Sequence, residues 1–242
     1  MSGRVVLVTG GSRGIGLACA RRLQAAGDNV AVTYRKQPPP VDGPGGGPPL
    51  LPVACDVTAP ADIEAAFAEV EERLGKVEVL VCAAGITEDA LVLRMSDAQW
   101  DTVLDTDLTG CFRVAKRALP AMVRARSGRI VLISSVVALL GNAGQANYAA
   151  AKAGIIGFAR SLAREVAPRS VTVNVVTPGL IDTDMLSALG EERAAAFAER
   201  VPLGRIGTPD EVAAVVALLC APEAAYVTGA VVPVDGGLGM GH

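Results

Sequence analysis

Seven short runs of β-branched and apolar residues, alternating with helical patterns, constrain this chain more than any other feature. Val5–Val8, Val30–Tyr34, Leu51–Ala54, Val77–Cys82, Arg129–Ser134, Val171–Val176 and Ala230–Val234 read as strands. Most are continuously apolar rather than alternating, the mark of strands covered on both faces. Helical patterns lie near 15–26, 60–74, 97–125, 146–167 and 209–220. This alternation, with right-handed crossovers, predicts an α/β doubly wound fold: one seven-stranded parallel sheet with helices on both faces. The 242 residues carry no internal repeat and are read as one domain, 1–242.

Two stretches break the rhythm. QPPPVDGPGGGPP at 37–49 follows the second strand, where a crossover helix is expected, and its prolines and glycines cannot sustain one. It is read as an exposed, mobile loop. A second irregular stretch, about 177–208, follows the sixth strand, at the carboxyl edge where doubly wound proteins cover their substrates.

Composition narrows the function. Hydrophobic residues make up 51% of the chain, yet no uninterrupted apolar stretch approaches the ~18 residues of a membrane span. The surplus is expected to feed the sheet and helix faces buried between subunits. MSGRVVLVTG lacks the apolar core of a signal peptide, which predicts a cytoplasmic protein. A net charge of −3, with charges interspersed, gives no footprint for nucleic acid or membrane surface. Five cysteines without a CxxC pair read as small buried hydrophobes in a reducing compartment. The only histidine is His242, so a histidine-based catalytic triad and a histidine-ligated metal site are not expected.

TGGSRGIG at 9–16 joins the first strand to the first helix. Glycines 10, 14 and 16 at a helix N-terminus suit a backbone that approaches a phosphate, because unpaired N–H groups there attract anions. No GK[ST] ending follows, which argues against a nucleotide triphosphatase. The second strand ends in Tyr34-Arg35-Lys36, without the acidic residue that takes the ribose 2′-hydroxyl of NAD. Arg13 and Arg35 instead suit the extra phosphate of NADP. Cys55-Asp56-Val57 is placed to meet an adenine edge.

Acid–base chemistry must come from another residue type. GQANYAAAKAG at 144–154 sets Tyr148 and Lys152 on one helix face, four residues apart. A neighbouring ammonium favours the phenolate and brings a tyrosine toward useful proton transfer. Ser134 and Ser135 end the fifth strand, where a hydroxyl can hold a carbonyl oxygen.

With these motifs the chain resembles the short-chain dehydrogenase/reductase family over essentially its full length. The matching pieces are TGGSRGIG, CDV at 55–57, Ser135 thirteen residues before Tyr148, YAAAK, and VNVVTPGLIDTDM at 173–185. GQANYAAAKAGIIGFARSLAREV, PLGRIGTPDEVA at 202–213 and the ending VTGAVVPVDGGLGMGH resemble the bacterial β-ketoacyl-[acyl-carrier-protein] reductases.

The resemblance implies an NAD(P)-binding Rossmann-like domain and an NADPH/NADP+ cofactor. It implies reduction of β-ketoacyl thioesters on acyl carrier protein in type II fatty-acid synthesis. It also implies a homotetramer. Gly10, Ser12, Arg13, Gly14, Ile15 and Gly16 would hold pyrophosphate and ribose, and Asp56 and Val57 would contact adenine. Ala84, Gly85, Tyr148, Lys152, Pro178, Gly179, Ile181 and Thr183 would surround the nicotinamide half. Ser135 would polarise the keto oxygen, Tyr148 would protonate it, and Lys152 would lower the tyrosine pKa and relay the proton. Arg126 and Arg169 match carrier-docking positions.

Two departures stand out. The family's NAG after the fourth strand is Ala83-Ala84-Gly85 here, without the amide that braces the cofactor loop. The asparagine of the family's Asn-Ser-Tyr-Lys tetrad is Asp107, whose carboxylate can pair with Lys152. Two alternatives therefore stay open: a reductase of another carbonyl substrate (a CoA thioester, a polyketide or a simple ketone), and a weakly active cofactor-binding subunit that scaffolds an active partner.

Overall fold

The computed structural model describes residues 3–41, 49–183 and 198–241. The strands are β1 (Val5–Thr9), β2 (Asn29–Tyr34), β3 (Leu51–Ala54), β4 (Val79–Cys82), β5 (Gly128–Ile133), β6 (Val171–Pro178) and β7 (Val231–Val234). All pair in parallel in one seven-stranded sheet of order β3-β2-β1-β4-β5-β6-β7. The doubly wound α/β expectation holds. The order reverses between β1 and β4, which opens a crevice at their carboxyl ends.

The helices are α1 (Gly14–Ala25), α2 (Pro60–Arg73), α3 (Asp97–Val103), α4 (Gly110–Ala125), α5 (Val137–Leu140), α6 (Ala146–Val166) and α7 (Pro209–Cys220). Because strand side chains alternate, each strand feeds two cores. Val5 and Leu7 of β1, Leu80 of β4, and Ile130 and Leu132 of β5 face α2, α4 and α6. Val6 and Val8, Val79 and Val81, and Val131 and Ile133 face α1 and α7. Continuous apolar runs are what such two-sided burial requires.

The five cysteines divide between these cores, all buried and unpaired by disulfides, as small hydrophobes should be. Among the described residues no helix is long and apolar enough to cross a membrane. Residues 37–41 and 49–50 carry no helix, in line with the sequence. Residues 42–48 of that loop, and 184–197 of the second irregular stretch, lie outside the described residues, and the expected mobility of the first loop falls largely there.

The helical pattern at 97–125 holds with one irregularity: α3 passes through a π-helical segment, Leu104–Thr109, into α4. A π-turn adds a residue to the turn and re-aims the side chains it carries. Here it buries Asp107 completely and presses Leu108 toward α6. Gly154 permits that approach, since a Cβ there would lie 2.8 Å from Leu108 Cδ2.

Candidate active site

The turn from β1 into α1 uses its glycines for distinct reasons. Gly10 has φ +66°, and a Cβ on it would lie 2.6 Å from the Cα of Ala84. Gly14 has φ +52°, and its missing Cβ would stand 3.3 Å from Thr183 Cγ2. A Cβ on Gly16 would overlap the carbonyl oxygen of Gly10. The loop is held by Gly10 N–H donating to Thr33 Oγ1 at 3.2 Å and Gly11 N–H donating to the Thr33 carbonyl at 3.1 Å. Among the described residues no side-chain cap is made by the N-cap residue Arg13 and no acidic residue lies in the first turn of α1, so its N-terminus suits an anion.

The Ala83-Ala84-Gly85 departure has a structural consequence. Ala83 packs its methyl group against the α1/α7 core. Bracing passes to the backbone. Ala83 N–H donates to the Thr9 carbonyl at 3.2 Å, and Ala84 N–H reaches Thr9 Oγ1 at 3.4 Å. Gly85 lies over the catalytic candidates: a Cβ there would be 2.9 Å from Asp107 Oδ2 and 3.1 Å from Lys152 Nζ. Any side chain would push this pair apart.

α6 carries Tyr148 and Lys152 on the face expected from their spacing. The Lys152 ammonium lies 5.5 Å from the centroid of the Tyr148 ring and is almost wholly buried. It donates to the Ile133 carbonyl at 3.2 Å and stands 3.2 Å from Asp107 Oδ2. Burial pulls its pKa down, but Asp107 and then Tyr148 outweigh this and hold it raised. Burial pushes the Asp107 carboxyl up, against the opposing pull of Lys152 and of Ile86 N–H. That N–H donates to Asp107 Oδ1 at 2.9 Å. Oδ2 has an ion-pair contact and no aligned donor.

The two serines divide the work at the end of β5. Ser134 Oγ donates to the Lys152 carbonyl at 2.7 Å and ties α6 to the sheet. Ser135 Oγ accepts from Val137 N–H at 3.2 Å, which leaves its hydroxyl proton for another acceptor. Val136 N–H donates to the Pro178 carbonyl at 2.9 Å and joins this corner to the end of β6. There Gly179 packs against Asp235, where a Cβ would meet the Asp235 Cα at 2.7 Å, and Ile181 is buried.

The other expected residues fall into two groups. Arg35 and Asp56 sit together beyond β2 and β3, 4.0 Å apart, with the guanidinium about half exposed. For Asp56, burial raises the pKa, but hydrogen bonds from Thr58 and the charge of Arg35 bring it below the usual carboxylate value. Val57 is buried against Gly110, and Arg13 is exposed at the start of α1. Arg126 and Arg169 are not brought to the site. They precede β5 and β6, at the sheet edge opposite Ser135, and Arg126 donates to the Pro168 carbonyl at 3.4 Å.

Asn147 escaped the sequence reading. Fully buried, it donates to the carbonyls of Glu88 at 3.0 Å and Gln99 at 3.2 Å and accepts from Tyr148 N–H at 2.8 Å. It therefore fixes the α6 start that carries the tyrosine. An amide just before the tyrosine was its only local signal.

Comparison with known proteins gives the family. A family model described as enoyl-(acyl carrier protein) reductase matches residues 10–239. The 3-oxoacyl-[acyl-carrier-protein] reductase MabA of Mycobacterium tuberculosis (strain ATCC 25618 / H37Rv) is 52% identical over 239 residues, 99% of this chain and 94% of the relative. The 3-oxoacyl-[acyl-carrier-protein] reductases FabG of Vibrio cholerae and Escherichia coli (strain K12) are 47% and 46% identical, covering 99% and 98% of this chain and the same shares of their own. With its sheet order, glycine turn and serine, tyrosine and lysine in place, the chain belongs to the short-chain dehydrogenase/reductase family.

Proposed function

We propose that this protein reduces the β-keto group of acyl-carrier-protein thioesters with NADPH, the type of reaction named in its relatives. What supports the reading is the buried Lys152 ammonium 5.5 Å from the Tyr148 ring on α6, with Ser135 just after β5 and the glycine turn just after β1, both at the carboxyl edge of the sheet.

The residues fit a dinucleotide. Gly10, Ser12, Arg13, Gly14, Ile15 and Gly16 would hold the pyrophosphate side, with Asp56 and Val57 at the adenine. Arg13 and Arg35 would take the 2′-phosphate. Ala84, Gly85, Pro178, Gly179, Ile181 and Thr183 would enclose the nicotinamide, with Tyr148 and Lys152 against its ribose. When bound, the reduced nicotinamide supplies a hydride to the carbonyl carbon.

The protein's own residues manage the oxygen. Ser135 Oγ donates a hydrogen bond to the keto oxygen and polarises it. Tyr148 gives its phenolic proton to the same oxygen as negative charge develops there. Lys152, held by the Ile133 carbonyl and Asp107, stabilises the phenolate that results and passes it a new proton. Two hydroxyl donors converging on one oxygen suit a ketone better than a carbon–carbon double bond, where the proton must end on carbon.

The test compares rates for one β-keto acid carried on acyl carrier protein and on coenzyme A, with NADPH and with NADH. The carrier-protein thioester with NADPH is expected to be fastest. A CoA thioester or simple ketone that outpaces it would move the assignment to another carbonyl substrate. Absence of turnover on all of them would leave the scaffold reading. Tyr148→Phe should keep NADPH binding and lose about 10²–10⁴-fold in turnover.

A further inference from the structure

Asp107 takes no direct part in the chemistry assigned above, yet the surrounding structure is built around it. Its side chain is fully buried, and the π-helical turn aims it inward. Ile86 N–H holds one oxygen, and the absent side chain of Gly85 leaves room for the other beside Lys152. A buried carboxylate is costly unless paired, so its geometry and the lysine's are set together. An asparagine could accept the Ile86 hydrogen bond equally well. The negative charge is the difference.

That charge acts on Tyr148 through Lys152. A lone ammonium near a phenol favours the phenolate; an ammonium paired with a carboxylate is closer to a dipole, and its pull is weaker. We infer that Asp107 is a positioning residue that anchors the Lys152 ammonium and keeps Tyr148 protonated to higher pH, favouring carbonyl reduction over alcohol oxidation. This rests on the assignment of Tyr148 as the proton donor. The proton balance supports the sense of the bias. Reduction adds a hydride to carbon and a proton to oxygen, so it needs the phenol. Oxidation removes both, so it needs the phenolate.

Other groups face the pair from each neighbouring element. Cys82 at the end of β4 and Cys111 in α4 present thiols. The Cys82 thiol is pushed up by its hydrogen bond with Cys111 and by burial. β5 contributes the Ile133 carbonyl and the hydroxyls of Ser134 and Ser135, none of which carries charge. Lys152 is held raised and stays an ammonium.

The chain has three tyrosines, which makes a direct readout practical. In a Tyr34→Phe/Tyr226→Phe background, ultraviolet difference absorbance follows Tyr148 ionisation without any substrate or cofactor. Asp107→Asn should move that midpoint down by roughly one pH unit, a tenfold change in phenolate fraction. The alkaline limb of kcat/KM for reduction should fall by a similar amount, and alcohol oxidation should begin at correspondingly lower pH. Asp107→Ser serves if the asparagine variant does not fold. A folded variant that binds NADPH but moves neither the midpoint nor the limbs overturns the inference. If the parent shows no reduction, the functional assignment fails, while the tyrosine titration still decides the role of Asp107.

Discussion

At the residue scale, the proposed preference for NADPH is tested at Arg35. Its guanidinium is half exposed and 4.0 Å from the Asp56 carboxylate, so it is oriented but not buried. A bound 2′-phosphate would compete with Asp56 for that charge and offer more oxygens. Losing a hydrogen bond to a charged group costs about 1.5–3 kcal/mol, and solvent screening places an exposed arginine at the lower end. Arg35→Ala should therefore raise the NADPH dissociation constant by roughly tenfold or more while leaving NADH little changed. Fluorescence titration with both nucleotides checks this, and an unchanged NADPH constant would place the phosphate elsewhere. The sequence showed which residue types stand here. It did not show that Arg35 and Asp56, read as separate contacts to phosphate and adenine, would touch each other.

At the element scale, the glycine turn and the π-turn hold the site by close backbone approach. Gly10 combines left-handed φ with a backbone contact to Ala84, whereas Gly204 has the same φ of +66° and nothing within 4 Å of its missing Cβ. Left-handed geometry alone costs an alanine about 1–2 kcal/mol. Gly204→Ala should show that cost by itself. Gly10→Ala should lose more stability in denaturant and also weaken NADPH binding, because Ala84 must move. Equal losses for the two variants would mean that the turn is not packed against the β4 end as described. The glycine turn was legible because three glycines between a strand and a helix make a local pattern. The π-turn was not, since apolar periodicity over 97–125 looks the same with or without an added residue in the turn.

For the whole molecule, the unburied apolar surface argues for assembly as a homotetramer. Phe112 on α4 is 42% exposed and meets Phe158 of α6 edge-to-face, with ring centroids 5.9 Å apart. At the other end β7 is an edge strand, with Leu218 and Tyr226 exposed nearby in sequence and fold. Two such faces on different sides of one chain suit two different two-fold contacts, and hence four subunits. Light scattering at micromolar concentration should report four chains, and Phe112→Asp should yield smaller species. A monodisperse parent monomer would refute the expectation. Carrier docking belongs to the same scale: Arg126 and Arg169 sit at the sheet edge away from Ser135 of the same chain.

The sequence alone determined the parallel sheet, the glycine turn and the tyrosine–lysine pair. Each follows from residues close together along the chain: apolar runs that must be covered on both faces, a strand–turn–helix junction, an i, i+4 spacing. It also marked Asp107 as a departure, without deciding where the carboxylate points. Tertiary structure decided that. It buried Asp107 by a π-turn, set Lys152 against it, cleared the space with Gly85, and tied Tyr148 through Asn147 to the loops after β4. These relations join segments far apart in sequence, and desolvation makes them strong. A charge that solvent would screen on the surface governs its neighbours once water is excluded.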